Sequence, residues 1–541
     1  MKVTTRITVL IMFLCSAWAA ASPVQAAEAV DLFKPVVSQS VKNDTSPALK
    51  SITPVLPGAP EAVREIPLFR LSKGSQVRQP AAIQGNDPVV QIENGITAMP
   101  APLKNFEGVG NVNSVLPPDT QGDIGYDPAT GKKYYVQWVN ISFAVWDVTD
   151  APALIYGPVA GKTLWTGFGG PCETENDGDP ITLFDPLAKR WLMSQFALPN
   201  FPLGPYYQCI AVSQTGDPTG AWHRYAFQVH QTKMNDYPKF GVWPDGYYLS
   251  VNQFTNGSSW GGAGVYAFQR DNMLTGSPAT AVYFDLYGVN ANFGGMLPSD
   301  LDGSTPPPLG SPNYFVEVDD SSWIGPADAM RIWKFHMDWV TPANSTFGLS
   351  GSPNFTLAVD NFVVLCPGTG PCIPQPGTSQ KLDALADRLM HRLAYRNFGT
   401  HESLVVNHTV DAGSGRAGIR WYEVRDPNGS PAIHQQGTHA PQDTENRWMG
   451  SIAMDKFGNM ALGYSVSSAL VYPSIRYAGR LNSDTLGILP QGETTLIAGG
   501  GSQTHSTGRW GDYSMMSVDP VDDCTFWYTQ EYMETTSSAG W

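Results

Sequence analysis

Charge is scarce in this 541-residue chain: Asp, Glu, Lys and Arg make up only 15% of it, and acids outnumber bases by 48 to 33. The formal net charge of −15 argues against nucleic acid or an anionic membrane as partner, since both attract basic surfaces. Long apolar runs are lacking as well, and beyond the first 26 residues none reaches the length of a membrane span. Helical periodicity is almost absent. Its best instance, Lys381 to Leu393 with Leu382, Leu385, Ala386 and Leu389 on one face, predicts a short helical turn feeding a strand. Motifs of several large enzyme classes are missing: there is no H-E-x-x-H and no P-loop, and the strings GSSWG at 257–261 and GSGRAG at 413–418 match G-x-S-x-G and G-x-G-x-x-G in spacing only, with no helical pattern following either as those motifs require. The nine histidines form no i, i+4 pair on a plausible helix, and no cysteine pair has zinc spacing beside histidines. Nucleophilic hydrolase, zinc protease and nucleotide-dependent chemistry therefore drop out.

What the chain does have is punctuation and rings: 54 Gly, 44 Pro, 16 Trp, 22 Tyr and 23 Phe, the composition of short strands joined by turns. Residues 1–26 read as a secretory signal peptide. Lys2 and Arg6 supply the charged end, residues 7–20 the apolar core, and Val24-Gln25-Ala26 a small-residue cleavage site. The expected compartment is secreted or periplasmic, where disulfides are the default. Cys366 and Cys372 bracket a Pro/Gly turn, and Cys172 and Cys209 flank one repeat unit, so each pair is expected to bond, leaving Cys524 over. Residues 27–105 show no sustained period and read as a flexible, Pro-rich leader.

From about residue 106 one unit recurs. An Asp closes an apolar strand, a turn follows, and an aromatic-rich strand returns; the markers are Asp127, Asp185, Asp245, Asp302, Asp455 and Asp519, with Tyr395 marking a unit that lacks the Asp. The spacing is about 60 residues, which leaves room for four short strands per unit. One interval, after Asp302, is longer and holds the segment with Cys366 and Cys372. The expectation is an all-β fold: a seven-bladed β-propeller of four-stranded antiparallel blades spanning residues 106–541. The last blade is expected to be incomplete, with fewer than four strands of its own. Either the chain is a fragment, or the N-terminal region, near Pro67 to Leu71 or Val89 to Ile92, supplies a closing strand.

Several strings, among them Pro117-Pro118-Asp119-Thr120, AVSQTGDPTGAWHRYAF from Ala211, DYPKFGVWPDGYY from Asp236, LAYRNFGTHESLVVNHTVD from Leu393 and RWGDYSMMSVDP from Arg509, resemble a family of secreted bacterial proteins with a sialidase-like or WD40-like propeller body. The resemblance covers roughly residues 105 to 541 and implies a fold and a compartment. It carries no activity, and Ser213 to Trp222 only faintly echoes a sialidase Asp-box.

In a propeller the inner strands line a channel, and loops at one mouth form the usual site. Acids stand near the start of each inner strand: Asp119 and Asp123, Asp177 and Asp179, Asp236, Asp300 and Asp512. Asp123, Asp179, Asp236, Asp300 and Asp512 are candidate ligands for calcium, a hard ion that takes oxygen donors, although turn aspartates more often bond local amides. Asp179, Asp236, Glu402 and Asp512 are candidate catalytic carboxylates, a pair of which could serve as acid and base. His401, Arg447, Trp448, Arg509 and Trp510 would bind ligand, with Arg–Asp pairing and Trp packing as the simpler alternative. The expected function is binding of an extracellular glycan or protein at the mouth by a monomer, without nucleic acid or a transmembrane segment. The alternative is a glycoside hydrolase or lyase using the mouth carboxylates.

Overall fold

The recurring Asp is a turn-builder. In the computed structural model, which describes residues 33–58, 87–95, 97–366 and 370–541, Asp185 ends the strand Ile181–Asp185, and its Oδ1 accepts the amides of Leu187 and Ala188 at 3.0 and 2.9 Å. Lys189 then takes φ 57°, and the strand Arg190–Ala197 runs back. Asp127 repeats this with the Ala129 amide and the Thr130 hydroxyl before Gly131 at φ 72°. Asp455 holds the amides of Phe457 and Asn459 around Gly458 at φ 81°. Asp519 holds the Val521 amide ahead of Asp523 at φ 57°. The carboxylate satisfies amides that the turn leaves unpaired. Glycine takes the left-handed conformation freely, whereas Lys189 bears a penalty of about 1 kcal/mol.

Each such hairpin opens an antiparallel meander. One sheet is Thr120–Tyr126, Lys133–Val139, Ser142–Asp147 and Ala153–Ala160 in that order. The next is Ile181–Asp185, Arg190–Ala197, Tyr206–Ser213 and Trp222–His230, and a third is Lys233–Val242, Gly246–Thr255, Ser259–Gln269 and Thr280–Asp285. Asn446–Met454, Met460–Ser467, Ser474–Arg480 and Gln491–Ile497 form another. The first strand of each meander packs against the first strand of the next. The contacts run from Thr120–Tyr126 through Ile181–Asp185, Lys233–Val242, Leu297–Leu301, Met390–Asn397, Asn446–Met454 and Met515–Val518, and back to Thr120–Tyr126. A ring of inner strands with meanders radiating from it is a β-propeller arrangement.

The sheets do not divide into seven separate four-stranded blades as the repeat predicts. Four are stand-alone meanders of four or five strands, one sheet has ten strands, and one has two. The ten-stranded sheet arises because Leu297–Leu301 pairs in parallel with Met390–Asn397, Ser299 opposite Leu393, which joins two neighbouring meanders of the ring. The two-stranded sheet is Met515–Val518 with Phe526–Thr529, so the last unit is short, as expected.

Residues 36–45 and 90–98 add a fifth strand to four outer edges. Val36–Gln39 pairs antiparallel with Thr280–Asp285, and Lys42–Thr45 with Trp222–His230. Val90–Gln91 pairs in parallel with Ala432–His439, and Thr97–Ala98 with Gln491–Ile497. Added strands cap edges that would otherwise offer unpaired backbone groups. Asp87 anchors this belt: its carboxylate meets Arg420 at 2.6 Å, and neither side chain is exposed. Val89 to Ile92 therefore does not close the last unit but docks on the sheet of Ala432–His439. Its partner there is the edge strand of a complete meander, whose backbone is free to pair. Pro67 to Leu71, and the signal segment, lie outside the described residues.

Large rings fill the space between sheets. Trp138, Trp191, Trp222, Trp243, Trp333 and Trp421 are fully buried; Trp243, for example, meets Tyr395 edge-on at 4.6 Å. Each such ring removes roughly 150–250 Å² from water. Cys172 bonds Cys209 and Cys366 bonds Cys372, while Cys524 is a free thiol. Among the described residues no helix is long and apolar enough to cross a membrane.

Candidate active site at the channel mouth

The mouth is built by a backbone feature that strand patterning does not reveal. At or just ahead of most inner strands one residue has positive φ: Asp119 (46°), Asp179 (48°), Tyr237 (54°), Leu385 (42°), Met449 (51°) and Asp512 (83°). Asp tolerates this conformation better than the other three residue types. Where the kink falls inside the strand, the pairing register slips, between Asp236 and Lys239 and between Trp448 and Ser451.

Asp119, Asp179, Asp236 and Asp512 come close enough to perturb one another. Asp119 is buried, and burial, followed by the charges of Asp179 and Asp512, raises its carboxyl well above the usual range. Asn140 Nδ2 donates to its Oδ2 at 2.7 Å. Asp179 is half-buried and raised by desolvation, with the Tyr513 hydroxyl opposing at 2.5 Å. The Tyr237 amide also donates to Asp179, at 3.1 Å. Asp236, half-buried, is pushed up to about 8, first by desolvation and then by Asp179, against Arg509, Arg388 and Lys239. Asp512 pairs through Oδ2 with Arg509, and its Oδ1 has no hydrogen-bond partner. Arg388 grips Asp387 at 2.8 and 3.1 Å and lies over the Tyr237 ring at 4.7 Å.

Lys239 sits among them, fully buried. Its Nζ has no hydrogen-bond partner and lies 3.5 Å and 2.9 Å from the ring centroids of Tyr237 and Tyr513. Burial pulls its ammonium well below the ordinary lysine range, although Asp179, Asp512 and Asp119 oppose this. Nearby His391 is held neutral by burial and by the charges of Lys239 and Arg392, and its Nε2 is unpaired.

One level deeper, Asp123 and Asp300 lie within their strands and are committed to the fold. Asp123 accepts the amides of Ile124 and Phe184, both at 2.7 Å, and burial raises it to about 6. Asp300 accepts the Val242 amide at 2.9 Å and is raised to about 7 by burial, with Arg392 opposing. Arg392 bridges Asp300 at 3.1 Å and Asp302 at 2.5 Å. The five calcium candidates are thus split between two levels.

The remaining candidates lie elsewhere. His401 stacks on Phe398 at 4.8 Å, and Glu402 accepts the Tyr395 hydroxyl at 2.6 Å. Both stand at the start of the second strand, opposite Asn397, and so at the far end of the channel. Trp448 and Trp510 are fully buried against each other, centroids 5.9 Å apart. Arg447 is buried in a network with Asp443 at 2.7 Å and Glu493 at 2.5 Å. Only Arg509 joins the mouth. Sequence reading missed Tyr237, Lys239, Arg388, His391 and Tyr513; the Asp-Tyr pairs at 236–237 and 512–513 are the signal that could have found the tyrosines.

Among the described residues, one group brings three carboxylate oxygens within metal-binding reach of one another: Asp443, Glu445 and Glu493. Arg447 and Arg476 already pair with it, which supplies the positive charge a cation would bring. We therefore expect millimolar calcium, or a chelator, to leave the thermal midpoint unchanged. A midpoint that rises with calcium would reveal a cation bound to the native state.

No protein-family model matches the chain, and no curated protein matches it. Among solved structures it is similar to the α-L-arabinanase of Penicillium chrysogenum complexed with arabinobiose, at 9% identity over 73% of this chain and 99% of that one, TM-score 0.35. It is also similar to the GH93 α-L-arabinofuranosidase of Fusarium graminearum, at 10% identity over 72% and 98%, TM-score 0.33. A third is an ulvan lyase, at 9% identity over 80% and 88%, TM-score 0.31.

Proposed function

We propose that the protein binds a glycan at this mouth and cleaves it by acid–base chemistry, as a glycoside hydrolase. The observation that carries this reading is a carboxyl held toward its protonated form, Asp236, in one cluster with a carboxylate that keeps an oxygen open, Asp512. Asp236 is pushed up to about 8, and Asp512 is ion-paired with Arg509 through one oxygen while the other is free. Divergent environments for neighbouring carboxyls are how acid and base roles are assigned. Asp236 would give its proton to the departing glycosidic oxygen. Asp512 Oδ1 would take a proton from the attacking water or stabilise positive charge at the anomeric carbon. Unpaired donors (Arg509 Nε, Lys239 Nζ) and acceptors (Asp512 Oδ1, His391 Nε2) lie together, the mixture that sugar hydroxyls satisfy.

The same reading takes residues 1–26 as a secretory signal and the mature chain as a secreted or periplasmic monomer. It also counts the ring as sevenfold, with the ten-stranded sheet as two fused blades and the two-stranded sheet as the seventh. The test is incubation of the purified protein with a panel of neutral and acidic polysaccharides, with release of reducing ends as readout. Release by the wild type that Asp236→Asn abolishes supports it. Binding without release reduces the protein to a glycan-binding propeller.

A further inference from the structure

Lys239 stands out among the unpaired buried polar groups of the described residues. Its side chain is fully buried, and its Nζ contacts two tyrosine rings and makes no hydrogen bond. Burying an ammonium without hydrogen bonds is costly, and each neighbouring carboxylate has another partner, although Asp512 keeps its Oδ1 open. Asp179 accepts from Tyr513 and Tyr237, Asp119 from Asn140, and Asp512 pairs with Arg509. Arg509 is itself only partly satisfied, since its Nε is also without a partner. Both basic side chains interact with the same pair of acids, Asp119 and Asp512, so they belong to one cluster.

The carboxyls do not make this mouth as negative as their number suggests. Asp119 and Asp236 are held toward their neutral forms, and a neutral carboxyl is a hydrogen-bond donor. The open donors are Lys239 Nζ and Arg509 Nε, with the Asp236 carboxyl proton near them, against the open acceptors Asp512 Oδ1 and His391 Nε2. An anionic oxygen answers all three donors, and charge-assisted bonds of this kind are about twice as strong as neutral ones.

We infer that the mouth selects an anionic sugar, a carboxylate or sulfate group of the glycan taking the acceptor place that Lys239 Nζ and Arg509 Nε lack. This rests on the reading of the mouth as a glycan site and adds the charge class of the ligand. Binding is coupled to protonation: an anion stabilises the neutral form of Asp236, so affinity falls as pH rises through about 8. Asp179, Arg388, Arg509 and Lys239 are the charged groups acting on it, and Asp119 and Asp512 act on Lys239, while His391 is neutral across that window.

The experiment is calorimetric titration of the full chain with three trisaccharides of matched size, at fixed ionic strength. One carries uronate carboxylates (trigalacturonate), one carries sulfate esters, and one is neutral (arabinotriose). The wild type is expected to bind one anionic trisaccharide at least tenfold more tightly than the neutral one, and which anion wins identifies the source. Lys239→Met, which keeps the stem and removes the charge, is expected to abolish that preference. Should the variant fail to fold, the wild-type pH series decides, with anion affinity expected to drop from pH 7 to pH 9 and neutral affinity to stay flat. Equal binding of neutral and anionic trisaccharides overturns this inference and leaves the glycan reading standing, as does a Lys239→Met protein that still prefers the anion. Binding of none of the three overturns both.

Discussion

Asp236→Asn is expected to be more stable than the wild type at pH 9, by a few kcal/mol, with the advantage shrinking steadily toward pH 4. The sign follows from where the proton resides. In the folded protein the Asp236 carboxyl titrates at about 8 against a usual value of 3.8. Between those values the folded state holds a proton that the unfolded chain has lost, so stability drains away as pH rises, at ~1.4 kcal/mol per unit for a single uncoupled group. Below pH 4 both states are protonated, and above pH 8 both are ionised, with the full penalty in place. Asparagine imitates the neutral carboxyl and never pays it. Coupling to Asp179 and partial access to water reduce the total below the uncoupled limit. Denaturant midpoints of both proteins at pH 4, 6, 8 and 9 measure it, and a stability gap that ignores pH would show Asp236 to be an ordinary ionised carboxylate. The same variant is expected to lose 10²–10⁴-fold in turnover, the usual contribution of a general acid.

Arg392→Met should destabilise the fold by about 3–5 kcal/mol, the cost of orphaning a buried charge partner. Arg392 is 1% exposed, and it ties three inner strands together: Asp300 and Asp302 on one side, and the Met516 carbonyl at 3.2 Å on another. Methionine leaves two buried acids facing each other without a cation. Asp300, already raised to about 7 despite Arg392, would then rise further. The variant's deficit is thus expected to grow with pH, since its raised carboxyls lose their folded-state protons as the solution becomes alkaline. Adding Asp300→Asn and Asp302→Asn should restore most of the loss. A urea midpoint for Arg392→Met within 1 kcal/mol of wild type would mean that the bridge is dispensable.

Much of the frame was legible because its cause is local. Asp127, Asp185, Asp455 and Asp519 each bond amides two to four residues away, so the hairpin signal lies within a few letters of sequence. The Cys366–Cys372 pair, 6 residues apart, was readable for the same reason, and Cys172–Cys209, 37 apart, because the two flank one repeat unit. The site was half legible: Asp179, Asp236, Asp512 and Arg509 meet at the mouth. Trp448, Trp510 and Arg447 could not be placed, because an inner strand start reads alike whether its side chains turn to the channel or to the neighbouring sheet. His401 and Glu402 were misplaced by one strand. The inner strand there is Met390–Asn397, and a hairpin reverses which end of the channel its next strand begins at. Lys239 was invisible because a lysine in a strand pattern is normally read as solvent-facing. The edge strands at 36–45 are largely exposed, and their side chains bond through scattered polar residues such as Gln39 and Asp44 rather than an apolar face, so no hydrophobic alternation announces them.

That belt also sets an order of events. Gln39 meets a residue 241 positions further on, Asp44 one 180 further on, and Asp87 one 333 further on. A growing chain presents its N-terminal end first, so the segments made earliest have nothing to join until the sheets made later are in place. Closing such long loops is slow and is rewarded only at the end. The belt is therefore a seal applied to finished work: protease resistance around residues 36–45 would report that the ring behind it has assembled.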